Sequence, residues 1–369
     1  MASQVFFISS RARLHASPAE RFQSLVRKIG LGVFKDGASV AMKIHFGEDG
    51  STGYIHPTYA RTLAAMLHER GCIPFLTDTN TLYRGPRSNG VRHLELAIRN
   101  GFDFAVTGVP LVIADGIKSQ SVMELPAGPR HFESVRIGSA IAEADALITM
   151  NHFKGHLVTS FGGAIKNLSM GCASRATKQR MHADMQPALV SEDRCIGCGQ
   201  CAGICPVDAI RLEDGTAVFD HGKCIGCAEC LAACPVSAIK VLWSGSSQSV
   251  QEKMAEVALA VVRYFRTKIL HFNFLLNITP DCDCLKWTDN PIVQDIGILA
   301  SRDPVALDQA SLDLVTRAPG LPDSRLTEDD TRNRDKFPLI HTGVVPDAQL
   351  SYGESIGLGS RDYELVSVE

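Results

Sequence analysis

The sequence reads Cys195-Ile-Gly-Cys198-Gly-Gln-Cys201-Ala-Gly-Ile-Cys205-Pro206 in its middle and repeats the pattern as Cys224-Ile-Gly-Cys227-Ala-Glu-Cys230-Leu-Ala-Ala-Cys234-Pro235. Each run has the spacing C-x2-C-x2-C-x3-C-P that wraps a [4Fe–4S] cluster, and the fourth cysteine of each run binds the other cluster. The predicted ligands are Cys195, Cys198, Cys201 and Cys234 for one cluster, and Cys224, Cys227, Cys230 and Cys205 for the other.

The two runs form an internal repeat, because CPVDAIRL from 205 and CPVSAIKV from 234 follow them in register. We expect Gly197 and Gly226 to let the backbone curl close to a cluster and aim N–H groups at its sulfides. Over 191–242 the sequence resembles bacterial-type ferredoxins with two [4Fe–4S] clusters, and every ligand is present. A pair of zinc knuckles is the alternative, but such sites need four ligands each and no trailing proline.

The composition narrows the class of protein. The chain has 369 residues, a formal net charge of −3 and 12 cysteines, and this length allows about two or three domains. A nearly neutral chain without a long basic run argues against nucleic acid as the main partner. No apolar stretch approaches the ~20 residues that span a bilayer, and Val5–Ile8 is typical of a first strand, not of a signal peptide. We therefore expect a cytoplasmic protein, whose clustered cysteines bind metal instead of forming disulfides.

Alternating strand and helix patterns flank the cysteine-rich runs. Before the runs, the predicted strands are Val5–Ile8, Ser39–Ile44, Ile73–Thr77 and Ala146–Met150, and the predicted helices are Pro57–Arg70 and Arg87–Asn100. After them, we predict a helix over Gln251–Arg266, strands over Ile269–Ile278 and Gly297–Ala300, and a helix that starts near Asp303-Pro304. This alternation predicts an α/β fold with a mostly parallel sheet.

Neither flank is complete by itself. We interpret 1–190 and 243–369 as one discontinuous α/β domain, into which a small α+β ferredoxin-like domain is inserted at 191–242. The predicted exit linker is Trp243-Ser-Gly-Ser-Ser. Ligands of such sheets bind at the carboxyl ends of the strands, so this edge is the expected site.

Polar residues follow the predicted strands at that edge. The candidate anion-binding residues are Lys43, Lys154, Gly162, Gly163 and Lys166, and the candidate proton-transfer residues are His45, His152 and His156. The glycine pair precedes a predicted helix and is expected to let backbone N–H groups approach an anion. Each residue alone has a simpler explanation, since strand-end histidines are often loop residues and no phosphate-binding glycine motif is present. Their joint occurrence favours a site.

Several segments resemble the DUF362 family, and more narrowly its members described as uncharacterised iron–sulfur centre proteins. The matching segments are Lys43-Ile-His-Phe-Gly, Asn151-His-Phe-Lys-Gly-His, Phe161-Gly-Gly-Ala-Ile-Lys-Asn-Leu-Ser-Met-Gly, Asp281-Cys-Asp-Cys and Asp295-Ile-Gly-Ile-Leu-Ala-Ser-Arg-Asp-Pro. The resemblance covers nearly the whole chain. It implies an iron–sulfur redox protein of no assigned general activity.

A second resemblance is to the nickel-pincer lactate racemases. The order of His156, the glycine pair, Lys166 and His182 is similar to a segment of those enzymes. The resemblance implies that Lys166 faces a cofactor, that His182 binds metal and that His156 transfers protons. The glycine pair is shifted relative to the lysine, and the racemases lack the ferredoxin segment.

Four cysteines lie outside the two runs: Cys72, Cys172, Cys282 and Cys284. Cys72 follows a helix-ending glycine and is interpreted as a buried structural thiol. Cys282 and Cys284 point the same way if the chain is extended there. Together with Cys172 they can hold an additional metal (iron, zinc or nickel) or a third cluster, with His182 or Asp283 as a fourth ligand. The alternatives are a reduced thiol pair or a redox-active dithiol, although a C-x-C disulfide is strained.

Three functions fit these features. The first is an oxidoreductase in which the ferredoxin module passes electrons to a substrate or cofactor in the α/β domain, where lysines bind an anionic small molecule and a histidine moves protons. The second is a non-catalytic electron carrier or a subunit that docks a partner. The third is a nickel- or zinc-dependent isomerase or lyase with regulatory clusters. Two clusters that transfer electrons, together with a polar pocket, favour the oxidoreductase. Without a nicotinamide or flavin fingerprint, the expected redox partner is a free ferredoxin or a flavoprotein.

Overall fold

The structure is a computed structural model of the chain. It describes residues 2–12, 14–83, 85–182, 192–205, 207–224, 229–236, 238–239, 245–326 and 331–368. Cys227, Gly226 and the first two residues of the predicted linker, Trp243 and Ser244, lie outside the described residues, whereas Ser246 of that linker caps the helix that begins at Ser247. Both predicted domain boundaries, 190/191 and 242/243, also fall there, so the division into domains stays a prediction.

One large sheet organises the fold. The strands of the described residues are β1 (Ser3–Ser9), β2 (Ser39–Ile44), β3 (Ile73–Asp78), β4 (Leu111–Ile113), β5 (Val122–Pro126), β6 (Ser134–Gly138), β7 (Ala146–His152), β8 (Lys154–His156), β9 (Ser160–Gly162), β10 (Ile210–Glu213), β11 (Thr216–Phe219), β12 (Ile269–Leu275), β13 (Gly297–Ser301) and β14 (Tyr363–Ser367). Eight of them form a sheet in the order β14-β1-β13-β12-β7-β2-β3-β4. Five of its seven neighbouring pairs are parallel, and β13 is antiparallel to both neighbours. The predicted α/β fold with a mostly parallel sheet is confirmed.

Helices connect and cover these strands. In the described residues they are α1 (Pro18–Ile29), α2 (Pro57–Glu69), α3 (Gly90–Ala97), α4 (Phe104–Thr107), α5 (Ser139–Ala142), α6 (Ala164–Ser169), α7 (Arg175–His182), α8 (Gln200–Gly203), α9 (Glu229–Ala233), α10 (Ser247–Phe265), α11 (Pro304–Arg317), α12 (Phe337–Ile340) and α13 (Ala348–Ser355). Asp303 caps α11 as predicted, because its carboxylate accepts the N–H groups of Val305 and Ala306 at 2.9 and 3.0 Å.

The chain on both sides of the cysteine-rich runs builds the same sheet. Strand β12, which follows the runs, pairs in parallel with β7, which precedes them, from Ile269 opposite Leu147 to Phe274 opposite His152. Neither flank could form this sheet alone. The topology therefore agrees with a discontinuous α/β body.

Two apolar cores lie on the two faces of the sheet. Successive residues of β2 illustrate this, because Ala41 belongs to one core and Met42 to the other. Helices α6, α10 and α11 contribute to the first core, whereas α1 and α2 contribute to the second. Strands buried on both faces need apolar side chains in both directions. In the central strands β2 and β7, Lys43 and His152 accordingly lie next to or at the carboxyl end.

One predicted helix differs from the structure. The sequence predicts a helix over Arg87–Asn100, but a 3-10 turn spans Pro86–Ser88 and α3 begins only at Gly90. Asn89 sets this start, since its side chain accepts the N–H groups of Val91 and Arg92. Arg87 consequently lies outside α3 and extends to the strand ends.

The cysteine-rich segment, residues 192–239, has its own short elements. Helices α8 and α9 pack against each other beside the antiparallel pair β10–β11. Within the described part of the chain, no helix has both the length and the apolar character needed to cross a membrane.

Candidate functional site

The carboxyl ends of the parallel strands enclose a cavity of about 380 Å³. Nine of the residues singled out in the sequence line it: Lys43, His45, His152, Lys154, His156, Gly163, Lys166, His182 and Cys284. Gly162 lies against the same wall, and a Cβ at this position would approach Cδ of Lys166 to 2.9 Å. The stem of Lys166 therefore occupies the space that a side chain at 162 would need.

Asp78, at the end of β3, is the buried counter-ion of this cavity. Its carboxylate contacts Lys43 Nζ at 2.9 Å and Arg87 Nη2 at 3.1 Å, and all three side chains are almost fully buried. Burial would raise the pKa of Asp78, but Lys43, His93 and Arg87 together hold it well below its usual range. Asp78 is therefore a carboxylate that fixes two cations at the cavity wall.

His45 is held as a neutral ring. Its Nδ1 accepts the N–H of Gly47 at 3.0 Å, and Arg87 Nη1 lies 2.6 Å from its Nε2. Burial, together with the charge of Arg87, lowers the pKa of His45 well below its ordinary value. A neutral ring touching a guanidinium is a poor proton donor.

His152 is engaged on both sides of its ring. Nδ1 faces the carboxylate of Asp283 at 2.9 Å, and Nε2 faces the carbonyl oxygens of Leu276 and Asn277 at 2.9 and 3.0 Å. Lys154 Nζ is 3.3 Å from the same carboxylate. Each ring nitrogen thus faces an acceptor oxygen. His152 and Lys154 thereby hold the loop that carries Asp283.

Several polar groups converge on the sulfur of Cys282. Lys166 Nζ donates to Sγ at 3.2 Å, and the backbone N–H of Cys284 donates to it at 3.4 Å. The ligand atoms of His156, Cys282 and Cys284 all lie within 4.8 Å of one another. The thiol of Cys284, followed by the charge of Lys166 and the hydrogen bond from His156, outweighs burial and lowers the pKa of Cys282 well below its ordinary value. Cys282 is therefore a thiolate in a buried donor pocket.

A turn, not an extended chain, brings the two cysteines together. The N–H of Leu285 donates to the carbonyl of Cys282 at 3.0 Å, and the N–H of Cys284 donates to Cys282 Sγ at 3.4 Å. The predicted extended geometry of this segment is wrong, because the chain reverses at 282–285. The turn brings the two sulfurs close together, whereas the sequence predicted that an extended chain would do so.

Gly155 docks the strand β8 against the loop that leads to Cys282. Its N–H donates to Thr279 O at 2.9 Å, and an added Cβ would lie 2.0 Å from the carbonyl oxygen of Pro280. Both neighbours are backbone, so they cannot rotate away.

We expect Gly155→Ala to lower the free energy of unfolding by about 1–3 kcal/mol, the usual cost of overpacking. Urea unfolding measures this change. Gly32→Ala is the matched control, because no atom lies within 4 Å of its added Cβ. An equal loss in the two variants would contradict the proposed close approach.

The N-terminus of α6 has a protein partner. The N–H groups of Ala164 and Ile165 donate to the carboxylate of Asp308 at 2.7 and 2.9 Å. A Cβ at Gly163 would lie 2.2 Å from the same carboxylate. Asp308 therefore occupies the position that the sequence assigned to the anion of a ligand, and the glycine is needed for its close approach.

Three of the remaining sequence candidates lie apart from the Cys282 pocket. Cys172 is fully buried in the first apolar core, where burial raises its pKa to about 12. Cys72 is buried in the second core, as interpreted from the sequence. His182 lines the cavity, but His156 is the histidine that reaches the sulfurs of Cys282 and Cys284.

Four cysteines of the cysteine-rich segment share one small cavity. Its lining includes Cys195, Cys198, Cys201 and Cys234. Three of them come from the first run and the fourth from the second, which is the crossed set that the spacing predicts. Four thiols around one space fit the ligand requirement of a [4Fe–4S] cluster.

The two halves of the segment are locally equivalent. Ala209 N donates to Cys205 Sγ at 3.2 Å, and Ala238 N donates to Cys234 Sγ at 3.1 Å. Gly197 has a φ of +64°, and a Cβ there would lie 2.7 Å from the carbonyl of Gly215. The predicted curl of the backbone at Gly197 is confirmed. Hydrogen bonds to the fourth cysteine of each run suit thiolate ligands.

Leu82 joins the two sites. Its side chain belongs to the apolar cluster of Cys201, Ile210 and Cys230, and it also lines the cationic cavity. Helix α7, which contributes Lys178 and His182 to the cavity, packs against α9 of the cysteine-rich segment. Leu82 is thus shared by the apolar cluster of the cluster cysteines and by the wall of the cavity.

Sequence reasoning missed three charged residues of the cavity: Asp78, Arg87 and Lys178. Asp78 directly follows the predicted strand Ile73–Thr77, so its position was a usable signal. The cap at Asn89 could have excluded Arg87 from the helix. Lys178 lies on α7 and carried no signal of its own, because a lysine in a helix is usually solvated.

The chain matches the family model of a domain of unknown function, DUF362, over residues 40–313. It is 50% identical over 30 residues to Ferredoxin-2 of Desulfomicrobium norvegicum, which is 8% of this chain and 51% of the ferredoxin.

Two solved structures are also similar. A structural genomics protein from Thermotoga maritima has a TM-score of 0.38 and 13% identity, covering 70% of this chain and 49% of that chain. The lactate racemase apoprotein from Thermoanaerobacterium thermosaccharolyticum has a TM-score of 0.41 and 11% identity, covering 86% of this chain and 58% of that chain. This chain therefore spans between 49% and 58% of the length of the three proteins it matches.

Proposed function

This chain belongs to the DUF362 family, and from that premise we propose that it is an iron–sulfur redox protein that relays electrons between two [4Fe–4S] clusters and an anionic small molecule in its cationic cavity. The observation that carries the proposal is Leu82, which packs on the cluster cysteines and lines the cavity. When bound, such clusters supply one-electron transfer. A redox partner such as a ferredoxin or a flavoprotein completes the relay.

The cysteine arrangement supports two clusters. In the proposed assignment, Cys195, Cys198, Cys201 and Cys234 hold one, and Cys224, Cys227, Cys230 and Cys205 hold the other. The first set lines one cavity, and the sulfurs of Cys205 and Cys234 accept equivalent backbone hydrogen bonds. Backbone N–H groups aimed at thiolates favour the charged cluster and tune its potential.

The charge of the cavity supports an anionic ligand. Among the described residues that line it, five side chains are lysine or arginine: Lys43, Arg87, Lys154, Lys166 and Lys178. Asp78 is the one carboxylate in the same lining. An excess of buried positive charge attracts anions and stabilises negative charge that develops in a bound molecule.

Lys178 is the cation best placed for such a ligand. Lys43 and Arg87 contact Asp78, whereas Lys178 Nζ donates to Thr79 Oγ1 at 2.8 Å and to the carbonyl of Asn80, both neutral acceptors. Burial lowers the pKa of Lys178 to about 8. Its charge therefore changes within an accessible pH range.

Anion affinity should fall as the pH rises through about 8. Below this pKa Lys178 is protonated and attracts an anion, and above it the amine is neutral. Sulfate is the probe, because its charge is constant over the range, and calorimetric titration between about pH 6.5 and pH 9.5 gives the affinity. Lys178→Met should bind sulfate more weakly at the lower pH and lose the dependence. A flat wild-type profile would exclude Lys178 from the anion site.

His156 is the proposed hydrogen-bond donor to negative charge in the cavity. Its Nδ1 accepts the N–H groups of Val158 and Thr159 at 3.2 and 3.1 Å, which leaves its proton on Nε2. Burial lowers its pKa to about 4, so the ring is neutral near pH 7. Its fixed N–H can stabilise negative charge that develops as electrons arrive, while the proton stays on the ring.

Anaerobic iron and sulfide analysis tests the proposal. We expect about eight iron and about eight sulfide per chain, the content of two [4Fe–4S] clusters. We also expect the electron paramagnetic resonance spectrum of the reduced protein to change when sulfate enters the cavity. Fewer than about four iron after reconstitution would overturn the two-cluster assignment. If the iron content is full but the spectrum does not change with sulfate, the protein is an electron carrier and the proposed coupling between clusters and cavity is wrong.

A further inference from the structure

We propose that Cys282 and Cys284 are a redox-active dithiol, which closes to a disulfide at the cavity wall and stores two electrons beside the ferredoxin-like segment. This inference rests on the proposed relay for its electron route, but the chemistry of the pair itself does not depend on the clusters.

Cys282 is prepared as a nucleophile. Its sulfur accepts hydrogen bonds from Lys166 Nζ at 3.2 Å and from the N–H of Cys284 at 3.4 Å, and the ring of His156 has a nitrogen within 4.8 Å of it. The side chain is 2% exposed, so these donors act in a pocket shielded from water. A thiolate stabilised by cationic and N–H donors is the reactive form of cysteine.

The partner sulfur is already in place. The Sγ atoms of Cys282 and Cys284 lie within 4.8 Å of each other. The turn at 282–285 fixes the backbone between them. Disulfide formation therefore needs side-chain rotation with a local change of the turn, not a movement of larger elements.

The hydrogen bonds of His156 and the position of Lys166 favour a dithiol over a metal site. His156, Cys282 and Cys284 are close enough to suggest a metal. However, Nδ1 of His156 accepts two backbone N–H groups, so its proton is on Nε2, the nitrogen left for a metal. A metal-binding histidine donates its other nitrogen to an acceptor, which is the reverse arrangement. Lys166 also places its ammonium 3.2 Å from one of the sulfurs, and its charge opposes a cation there.

The reaction balances within the proposed relay. The S–H bond of Cys284 breaks, an S–S bond forms, and one proton leaves through the cavity that Cys284 lines. The two electrons released pass one at a time towards the ferredoxin-like segment, whose two clusters match a two-electron couple. Reduction by the same route restores the thiolate of Cys282 and the thiol of Cys284. A three-residue disulfide loop is strained, and strained disulfides are the readily reduced ones.

Oxidation with diamide, followed by denaturation, maleimide alkylation and mass spectrometry, tests the pair. We expect the peptide that contains Cys282 and Cys284 to carry two maleimides before oxidation and none after it, with a mass two hydrogens lower. Cys72 and Cys172 are internal controls and should stay alkylatable, since both are buried in the apolar cores and neither belongs to the group of His156, Cys282 and Cys284. Two maleimides on the peptide after oxidation would overturn the proposal.

Lys166→Met tests the stabilised thiolate without removing either cysteine. Disulfide formation should slow by about tenfold or more, the effect of losing one hydrogen bond from a charged group. Lys286→Met is the matched control, because Lys286 is exposed in the same loop, and it should keep the wild-type rate. Equal rates in the two variants would remove Lys166 from the mechanism.

Metal analysis of the same samples separates the remaining outcomes. One zinc or nickel per chain that disappears in Cys282→Ser, with iron unchanged, would make the pair a metal site and overturn the dithiol. A low iron content with normal disulfide formation would instead contradict the electron relay and leave the dithiol standing.

Discussion

Replacing Asp78 with asparagine is expected to lower the free energy of unfolding by about 3–5 kcal/mol, the usual cost of removing one partner from a buried ion pair. Asp78 is 2% exposed and contacts Lys43 at 2.9 Å and Arg87 at 3.1 Å. The amide keeps the shape of the carboxylate but leaves both cations without their shared counter-ion. Chemical denaturation near pH 7 measures the difference.

Asp49→Asn is the matched control for this substitution. Asp49 pairs with Arg99 at 3.3 Å, but these side chains are 48% and 60% exposed. Exposed pairs contribute little, and we expect a change within about 0.5 kcal/mol. Similar losses at the two sites would contradict the role of Asp78 as a buried counter-ion.

The stability difference between wild type and Asp78→Asn should depend on pH. Because the folded pKa of Asp78 is held well below its ordinary value, its contribution to stability is fully present above the unfolded pKa of about 3.9. The contribution is lost as the pH falls from there through the lower folded pKa. The difference between wild type and Asp78→Asn should therefore be constant above about pH 5 and shrink in acid.

Cys201→Ala is expected to halve the iron content, from about eight to about four per chain, because alanine removes one ligand of one [4Fe–4S] cluster. Cys201 is buried in the apolar cluster that contains Leu82 and lines one space with Cys195, Cys198 and Cys234. Cys72→Ala is the control, since Cys72 is a buried thiol of the second core, and it should keep all of the iron.

Each predicted cluster takes three cysteines from one run and the fourth from the other run, and single substitutions can test this assignment. Cys234→Ala should abolish the same cluster as Cys201→Ala, although the two residues belong to different runs. Cys205→Ala should abolish the other cluster. Spin spectra of the reduced variants identify which cluster remains. If Cys234→Ala resembled Cys205→Ala instead, the assignment of the fourth cysteines would be wrong.

Local signals in the sequence predicted many of the elements. The strand predicted over Ser39–Ile44 has the same bounds in the structure, and the helix predicted near Asp303-Pro304 starts where its cap requires. These signals succeed because caps, prolines and apolar runs act within a few residues. The helix predicted from Arg87 failed, since the cap at Asn89 was not recognised.

The sequence also predicted many of the residues that line the cavity. Lysines and histidines that follow parallel strands converge because the carboxyl ends of such strands share one edge of the sheet. Lys43 and His152 illustrate this, since they end the neighbouring strands β2 and β7 and line one cavity. Their chemical states, however, depend on partners that periodicity cannot identify.

Only the tertiary structure decided those partners. It paired Asp283 with His152 and Lys154, placed Asp308 on the N–H groups that the sequence assigned to a ligand, and put His156 beside Cys282. The sequence by itself determined the crossed cysteine spacing, because ligands within one short run are held by chain connectivity. Contacts between distant segments depend on sheet order and packing, and a buried charge takes its protonation state from whatever packing places beside it.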